Sequence, residues 1–155
     1  GRILRDEVKR KSKIGKLVER DLEAGDLVDD ALVNKILKEG LKKEKHVILD
    51  GFPRDLEQAK LFPGINYALY INCKKDNIVK RLLKRADVQG RKDDNKKTID
   101  HRWRVFVQET LPVVEYYRGK GILREVDGNG DIDGVAEIIL EMVQQDNLFQ
   151  RLVRG

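Results

Sequence analysis

Apolar residues along the chain fall into helical stripes separated by short continuous runs. Ile3, Leu4 and Val8 predict a helix over 2–12, which Gly15 is expected to break. Leu17, Val18 and Leu22 predict a second helix over 16–24, stopped by Gly25. Leu32, Val33, Ile36 and Leu37 predict a third, opened by Asp29 or Asp30 and ended by Gly40. The run Val47–Leu49 reads as a fully buried strand. Asp55 then caps a helix carrying Leu56, Ala59, Leu61 and Phe62. Tyr67–Asn72 predicts a second strand. Ile78, Val79, Leu82 and Leu83 mark a helix over Asp76–Ala86. Residues 87–97 hold almost nothing apolar and read as a mobile, charged loop. Thr98 is expected to open a long helix to about residue 118, with Trp103, Phe106, Val107, Leu111 and Val114 on one side and Pro112 predicting a kink or break. Ile122–Val126 predicts a third strand, 127–130 a turn, and Ile132–Val143 the last helix. From Gln144 the chain is polar and reads as frayed or extended. Strands alternating with helices predict an α/β protein with a parallel sheet.

Composition narrows the function. The chain has 155 residues, 38% of them charged, with a net charge of +5, enough for one domain with a sizeable core. No apolar run approaches the ~20 residues of a membrane helix, and the first residues are too charged for a secretory signal. The lone Cys73 allows no internal disulfide, which suits a reducing compartment and a cytoplasmic location; it reads as a plain strand-end residue. The basic excess fits a phosphate-rich ligand. Aromatics are only 6%, and no basic stripe is interleaved with them, so nucleic acid is not expected as a partner, nor is a membrane. His46 and His101 have no partners at metal-ligand spacing and read as solvated or core-edge residues. Asp127, Asn129, Asp131 and Asp133 alternate as in a calcium loop, but Ile132 and Ile138 stand where an EF-hand needs Gly and Glu.

The chemistry centres on 47–58. An aliphatic run ends at Asp50-Gly51, which places an acid at the carboxyl end of a strand, where α/β sheets bind ligands. Arg54 and Gln58 follow. Arg85, Arg91 and Arg102 flank or lie in the charged loop. Guanidinium groups recognise phosphate with two prongs and stay charged at any relevant pH. Spacing alone leaves two readings of these three: solvated surface charges, or a convergent phosphate site.

The order Asp50-Gly-Phe-Pro-Arg54, with Gln58 four residues on, resembles the signature of the adenylate kinase family of nucleoside monophosphate kinases. The segment 1–8 is similar to the family's Gly-Asp-Leu-Leu-Arg…Glu-Val block, and 25–28 to its Gly-Glu-Leu-Val. Residues 90–95 resemble the family's short lid, Gly-Arg-x-Asp-Asp. Arg2 in place of an acid and Asp29 in place of a Pro depart from the pattern.

The resemblance implies a parallel-sheet α/β fold of the P-loop kinase type, one structural domain overall. It would have a helical monophosphate-binding subdomain at 1–40, a core at 41–86 and 98–155, and a lid at 87–97. It implies phosphoryl transfer from ATP·Mg²⁺ to AMP, giving two ADP. Arg54, Arg85, Arg91 and Arg102 would be catalytic. Arg5, Arg54, Gln58, Asp93 and Asp94 would bind substrate, with Gln58 on the acceptor base; Gln there favours AMP over pyrimidine acceptors, whose kinases carry Asn. Arg85 and Gly130 would contact the ATP cofactor, and Asp50 would order Mg²⁺ through water. The pattern Gly-x-x-x-x-Gly-Lys-[Ser/Thr] does not occur in the 155 residues. The expectation is therefore that the first strand and that loop lie outside this chain, in the rest of a longer chain or in another chain completing the sheet. On that expectation the chain alone is inactive. The alternative is a catalytically inactive relative serving as a nucleotide sensor or scaffold.

Overall fold

A computed structural model describes residues 2–24, 26–41, 45–91 and 93–154; the side chains of Arg2, Ile3, Arg5, Lys35, Ile36 and 38–41 lie outside what it describes. Three helices come first: α1 (Arg2–Lys9), α2 (Lys13–Ala24) and α3 (Asp30–Leu41). The break between α1 and α2 is not at Gly15. It falls at Lys11, in the left-handed region at φ 53°, and at Ser12, whose Oγ accepts the Gly15 N–H at 2.8 Å and so caps α2. Gly15 is buried inside α2, where a Cβ would stand 2.1 Å from the Glu7 carbonyl oxygen. Its bare Cα lets two helical backbones touch, a use of glycine distinct from helix breaking. Asp29 is the cap of α3, accepting the Leu32 N–H at 3.0 Å.

Val47–Leu49 is not a strand. Val47 is 43% exposed and Ile48 96% exposed. A strand exists only where a neighbour completes its ladder of hydrogen bonds, and no strand among the described residues lies against this run. The sheet among the described residues has two parallel strands, β1 (Ala68–Asn72) and β2 (Leu123–Asp127), with Ala68 opposite Leu123 and Asn72 opposite Asp127. Between them the chain runs through α5 (Lys75–Gln89), α6 (Lys96–Val105), one π-helical turn (Phe106–Thr110) and α7 (Leu111–Gly119). Before β1 lies α4 (Leu56–Leu61), capped by Asp55. Ala59 of α4 with Val113 and Tyr117 of α7 forms a buried centre, against which Leu56, Ile65, Ala68, Ile122 and Leu123 pack. The parallel α/β architecture expected from the sequence is thus present.

Two local expectations change and one is met. The cap of α6 is Asn95, not Thr98: Asn95 Oδ1 accepts the Thr98 N–H at 3.1 Å and the Thr98 hydroxyl at 3.2 Å. Pro112 does interrupt the long helix, through the π-turn just before it. That turn shifts the phase of the apolar stripe, which leaves Val107 exposed. Asp131 caps the next helix, α8 (Ile132–Gln145), by accepting the Gly134 N–H at 2.8 Å. The tail is not frayed. It forms α9 (Asn147–Arg154), started by Asp146, whose carboxylate accepts the Leu148 and Phe149 N–H groups and pairs with Arg124. Phe149 meets Tyr67 edge-on at 5.3 Å. No helix of the described residues is long and apolar enough to cross a membrane.

Gly15→Ala forces a methyl group into a backbone carbonyl, which cannot move aside as a side chain could. It should destabilise the protein by about 1–3 kcal/mol, read as a lower urea midpoint. An unchanged midpoint would show that α1 and α2 are not packed this closely in solution.

Candidate functional site

Gly90 ends α5 in the left-handed conformation, at φ 62°. The loop that follows is shorter than the expected 87–97, because α5 continues through Gln89 and α6 begins at Lys96. It is also pinned. Asp94 is 2% exposed and accepts from two guanidinium groups at once: Arg85 through Nε at 2.6 Å and Nη2 at 2.9 Å, and Arg102 through Nη1 at 2.8 Å. Asp93 takes the other prong of Arg102, at 2.6 Å. Composition read this loop as solvated charge; the charges instead satisfy one another across the gap between α5 and α6.

Burial alone would raise the Asp94 carboxyl. The hydrogen bond and charge of Arg85, joined by Arg102, outweigh it and hold Asp94 below the usual carboxylate range. The Asp94 hydrogen bond correspondingly raises Arg85. Arg91 sits half-buried in the same loop, its N–H bonded to the Ala86 carbonyl and its own carbonyl accepting the Asp94 N–H. Arg102 also reaches back to the Leu22 carbonyl at 3.4 Å, and its neighbour His101 contacts Asp26 at 2.6 Å. His101 therefore has a partner 75 residues away that no spacing rule reveals.

A second cluster surrounds Arg54. Gly51, at φ 71°, offers its carbonyl to Arg54 Nε at 3.0 Å. The Phe52–Pro53 peptide between them is cis. The Arg54 backbone is held from both sides: its N–H donates to Gln58 Oε1 at 2.8 Å, and its carbonyl accepts the Thr110 hydroxyl at 2.7 Å. Thr110 belongs to the π-turn, and such turns recur at functional sites. Gln58 is 3% exposed, and its Nε2 donates to Asp30 Oδ1 at 2.6 Å. Sequence reasoning did not assign Thr110 or Asp30 to the site; each lies far along the chain from its partner. A cavity of about 510 Å³ opens beside this cluster, lined by Asp30, Asp55, Glu109, Leu27, Leu56 and Pro112 among others. Burial raises the Asp55 carboxyl, and the charges of Asp30 and Glu109 add to the rise while the Gln58 N–H opposes it.

The structure thus brings Arg85, Asp93, Asp94 and Arg102 together, and separately Arg54 and Gln58. One helical run joins the groups. Thr110 follows Arg102 by eight residues, roughly 12 Å at the α-helical rise. Gly130 stands apart: Arg81 donates to its carbonyl and to that of Gly128, the latter at 2.7 Å. Asn129 fastens this turn to the start of α5 by accepting from Lys74 N–H and Asn77 Nδ2, both at 2.9 Å. Asp50 is exposed at the end of the apolar run. Among the described residues no cluster of His, Cys, Asp or Glu could hold a metal ion by itself. A single exposed carboxylate fits Mg²⁺, which keeps several waters and rides on phosphates. Arg5 is placed on α1, but its side chain lies outside the described residues.

A parallel α/β core with helices α1–α3 preceding it and an arginine-bearing loop is the nucleoside monophosphate kinase fold. The family profile described as adenylate kinase matches residues 1–122. The adenylate kinase of Leifsonia xyli subsp. xyli is 38% identical over 147 residues, covering 88% of this chain and 74% of that protein. That of Thermus thermophilus is 38% identical over 143 residues, covering 87% and 76%. The UMP-CMP kinase 1 of Oryza sativa subsp. japonica is 36% identical over 154 residues, covering 95% and 63%. The chain belongs to the adenylate kinase family.

Asp94→Asn leaves two guanidinium groups around a neutral amide and should cost about 2–4 kcal/mol at pH 7. The lowered carboxyl contributes stability that is complete above the unfolded carboxylate value, about 3.9, and is lost as pH falls through the lower folded value. The stability gap between wild type and Asp94→Asn should therefore narrow below about pH 4. Urea midpoints at pH 7 and pH 3 check this; a gap that stays constant would mean the carboxylate charge is not what holds the loop.

Proposed function

We propose that this protein transfers the γ-phosphoryl group of ATP·Mg²⁺ to AMP, giving two ADP. The observation that carries the reading is the convergence of Arg85 and Arg102 on one buried loop carboxylate in a chain of the adenylate kinase family. In the reaction an oxygen of the AMP phosphate forms a bond to the γ-phosphorus of ATP, and the bond from that phosphorus to the β-bridging oxygen breaks. The transition state spreads negative charge over the transferred group. Guanidinium groups already oriented by hydrogen bonds stabilise that charge without reorganisation. Mg²⁺ bound with the nucleotide neutralises charge on the phosphates.

In this reading Arg85, Arg91 and Arg102 act on the transferred group, with Arg85 also on the donor, and Asp93 and Asp94 hold them in register. Arg54 and Arg5 hold the acceptor phosphate, Gln58 the acceptor base, Gly130 the donor purine by its backbone, and Asp50 the waters of Mg²⁺. The helical unit 1–40 closes over the acceptor, the loop between α5 and α6, 90–95, acts as lid, and closure excludes the water that would otherwise hydrolyse ATP. The cytoplasm is the compartment this reading favours.

The test is ADP formation from ATP·Mg²⁺ and AMP by the full-length protein. Arg91→Ala should lower kcat by about 100-fold or more with its melting temperature nearly unchanged; unchanged turnover would remove Arg91 and the lid assignment from the mechanism. Binding of AMP without any turnover in the wild type would favour the inactive sensor or scaffold. A preference for UMP or CMP as acceptor would move the chain to the pyrimidine branch.

A further inference from the structure

The side chain of Gln58 has no freedom in the order of its two ends. The Arg54 N–H that faces it can only donate, and the Asp30 carboxylate that faces it can only accept. The amide must therefore present oxygen to Arg54 and nitrogen to Asp30. A flipped amide would set N–H against N–H and oxygen against carboxylate. The backbone of Gln58 is fixed as well, its N–H donating to Asp55 Oδ1 at 2.8 Å. Each end of the amide keeps one unused valence: a lone pair on Oε1 and an N–H on Nε2.

We infer that Asp30 is a specificity-positioning residue, which locks the Gln58 amide so that the acceptor site distinguishes a 6-amino purine from a 6-oxo purine. This rests on the reading of Gln58 as the residue that meets the acceptor base. Adenine presents a donor at its 6-amino group and an acceptor at N1; hypoxanthine presents an acceptor at its 6-oxo group and a donor at N1. The two edges are mirror patterns. An amide that can flip reads both, whereas a locked one reads one. The cavity next to Gln58 points the same way. Its carboxylates, Asp29, Asp30, Asp55, Glu57 and Glu109, attract an amino group and repel a carbonyl oxygen.

Asp30 also occupies the first turn of α3, where an acid is favoured by the helix dipole alone. The experiment must therefore read base preference rather than stability. In the full-length protein, kcat/KM is measured with AMP and with IMP as acceptors, and binding of each is followed by calorimetry, which needs no turnover. Asp30→Asn can offer Gln58 either an oxygen or a nitrogen and so removes one of the two contacts that set the order of the amide, leaving the Arg54 N–H alone to hold it. The AMP/IMP ratio, in rate or in affinity, should fall about tenfold, chiefly through KM for AMP. Asp30→Ser removes the contact and serves if the Asn variant does not fold.

Gln58→Leu separates the two layers of the inference. If Gln58→Leu collapses the ratio and the Asp30 variants leave it unchanged, Asp30 is structural and the inference is overturned while the base reading stands. If Gln58→Leu also leaves the ratio unchanged, the base reading fails first.

Discussion

The buried carboxylate of Asp94 is the contact on which the rest of the site depends. It lies between two guanidinium groups from different helices and closes the distance between the end of α5 and the start of α6. Without it two like charges would face each other across a short loop. With Asp93 present the four groups carry two positive and two negative charges, so the cluster is neutral in sum, and the ion pairs offset the cost of burying Asp94. The two acids are not equivalent. Asp94 has no exposed side-chain surface, whereas Asp93 keeps a quarter of its own. On the proposed function, a phosphate reaching Arg102 would displace Asp93, the more exposed of its two partners, while Asp94 would continue to hold the frame.

The second cluster has the opposite sign. Carboxylates line the cavity beside Gln58, and Arg54, bound to Gln58 through its backbone N–H, carries the cluster's positive charge. A nucleoside monophosphate has the same polarity: an anionic end and a base whose amino group is an electron-poor donor. On the proposed function, this acidic cavity would repel a phosphate directed into it and so would favour one orientation of the acceptor. Thr110 and Gln58 then fix the Arg54 backbone from two directions, so the boundary between the two regions is held by neutral hydrogen bonds that do not depend on salt.

Much of this was legible in the sequence because it is local. The cap at Asp55 and the strands at Ala68–Asn72 and Leu123–Asp127 follow from spacing, whereas the pairing of the loop acids with Arg85 and Arg102 does not, since spacing left those arginines open between solvated charges and a convergent site. What was not legible is non-local. Gly15 looks like a breaker until Glu7 of another helix is seen beside it. His101 and Asp26, Arg54 and Thr110, and Gln58 and Asp30 meet across 75, 56 and 28 residues, with no periodicity to announce them. A helix as short as α9 is marginal by its own propensity. It depends on Asp146 as cap and on Tyr67 as a packing partner. Val47–Leu49 failed for a related reason: a run of β-prone residues states a capacity for pairing, and pairing needs a second strand.

The π-turn at Phe106–Thr110 separates two demands that a uniform helix would tie together. An α-helix advances about 100° per residue, so the direction of every side chain along one rod is fixed by the first. A turn that holds one residue more than its neighbours resets that phase. The segment before it can point Arg102 at the loop, and the segment after it can bury Val113, Val114 and Tyr117. Neither orientation constrains the other. The rod behaves as two helices with independent bearings that still transmit position along a common axis. Its length in residues between Phe106 and Thr110 is then a geometric setting in its own right, as consequential as the identity of any side chain upon it.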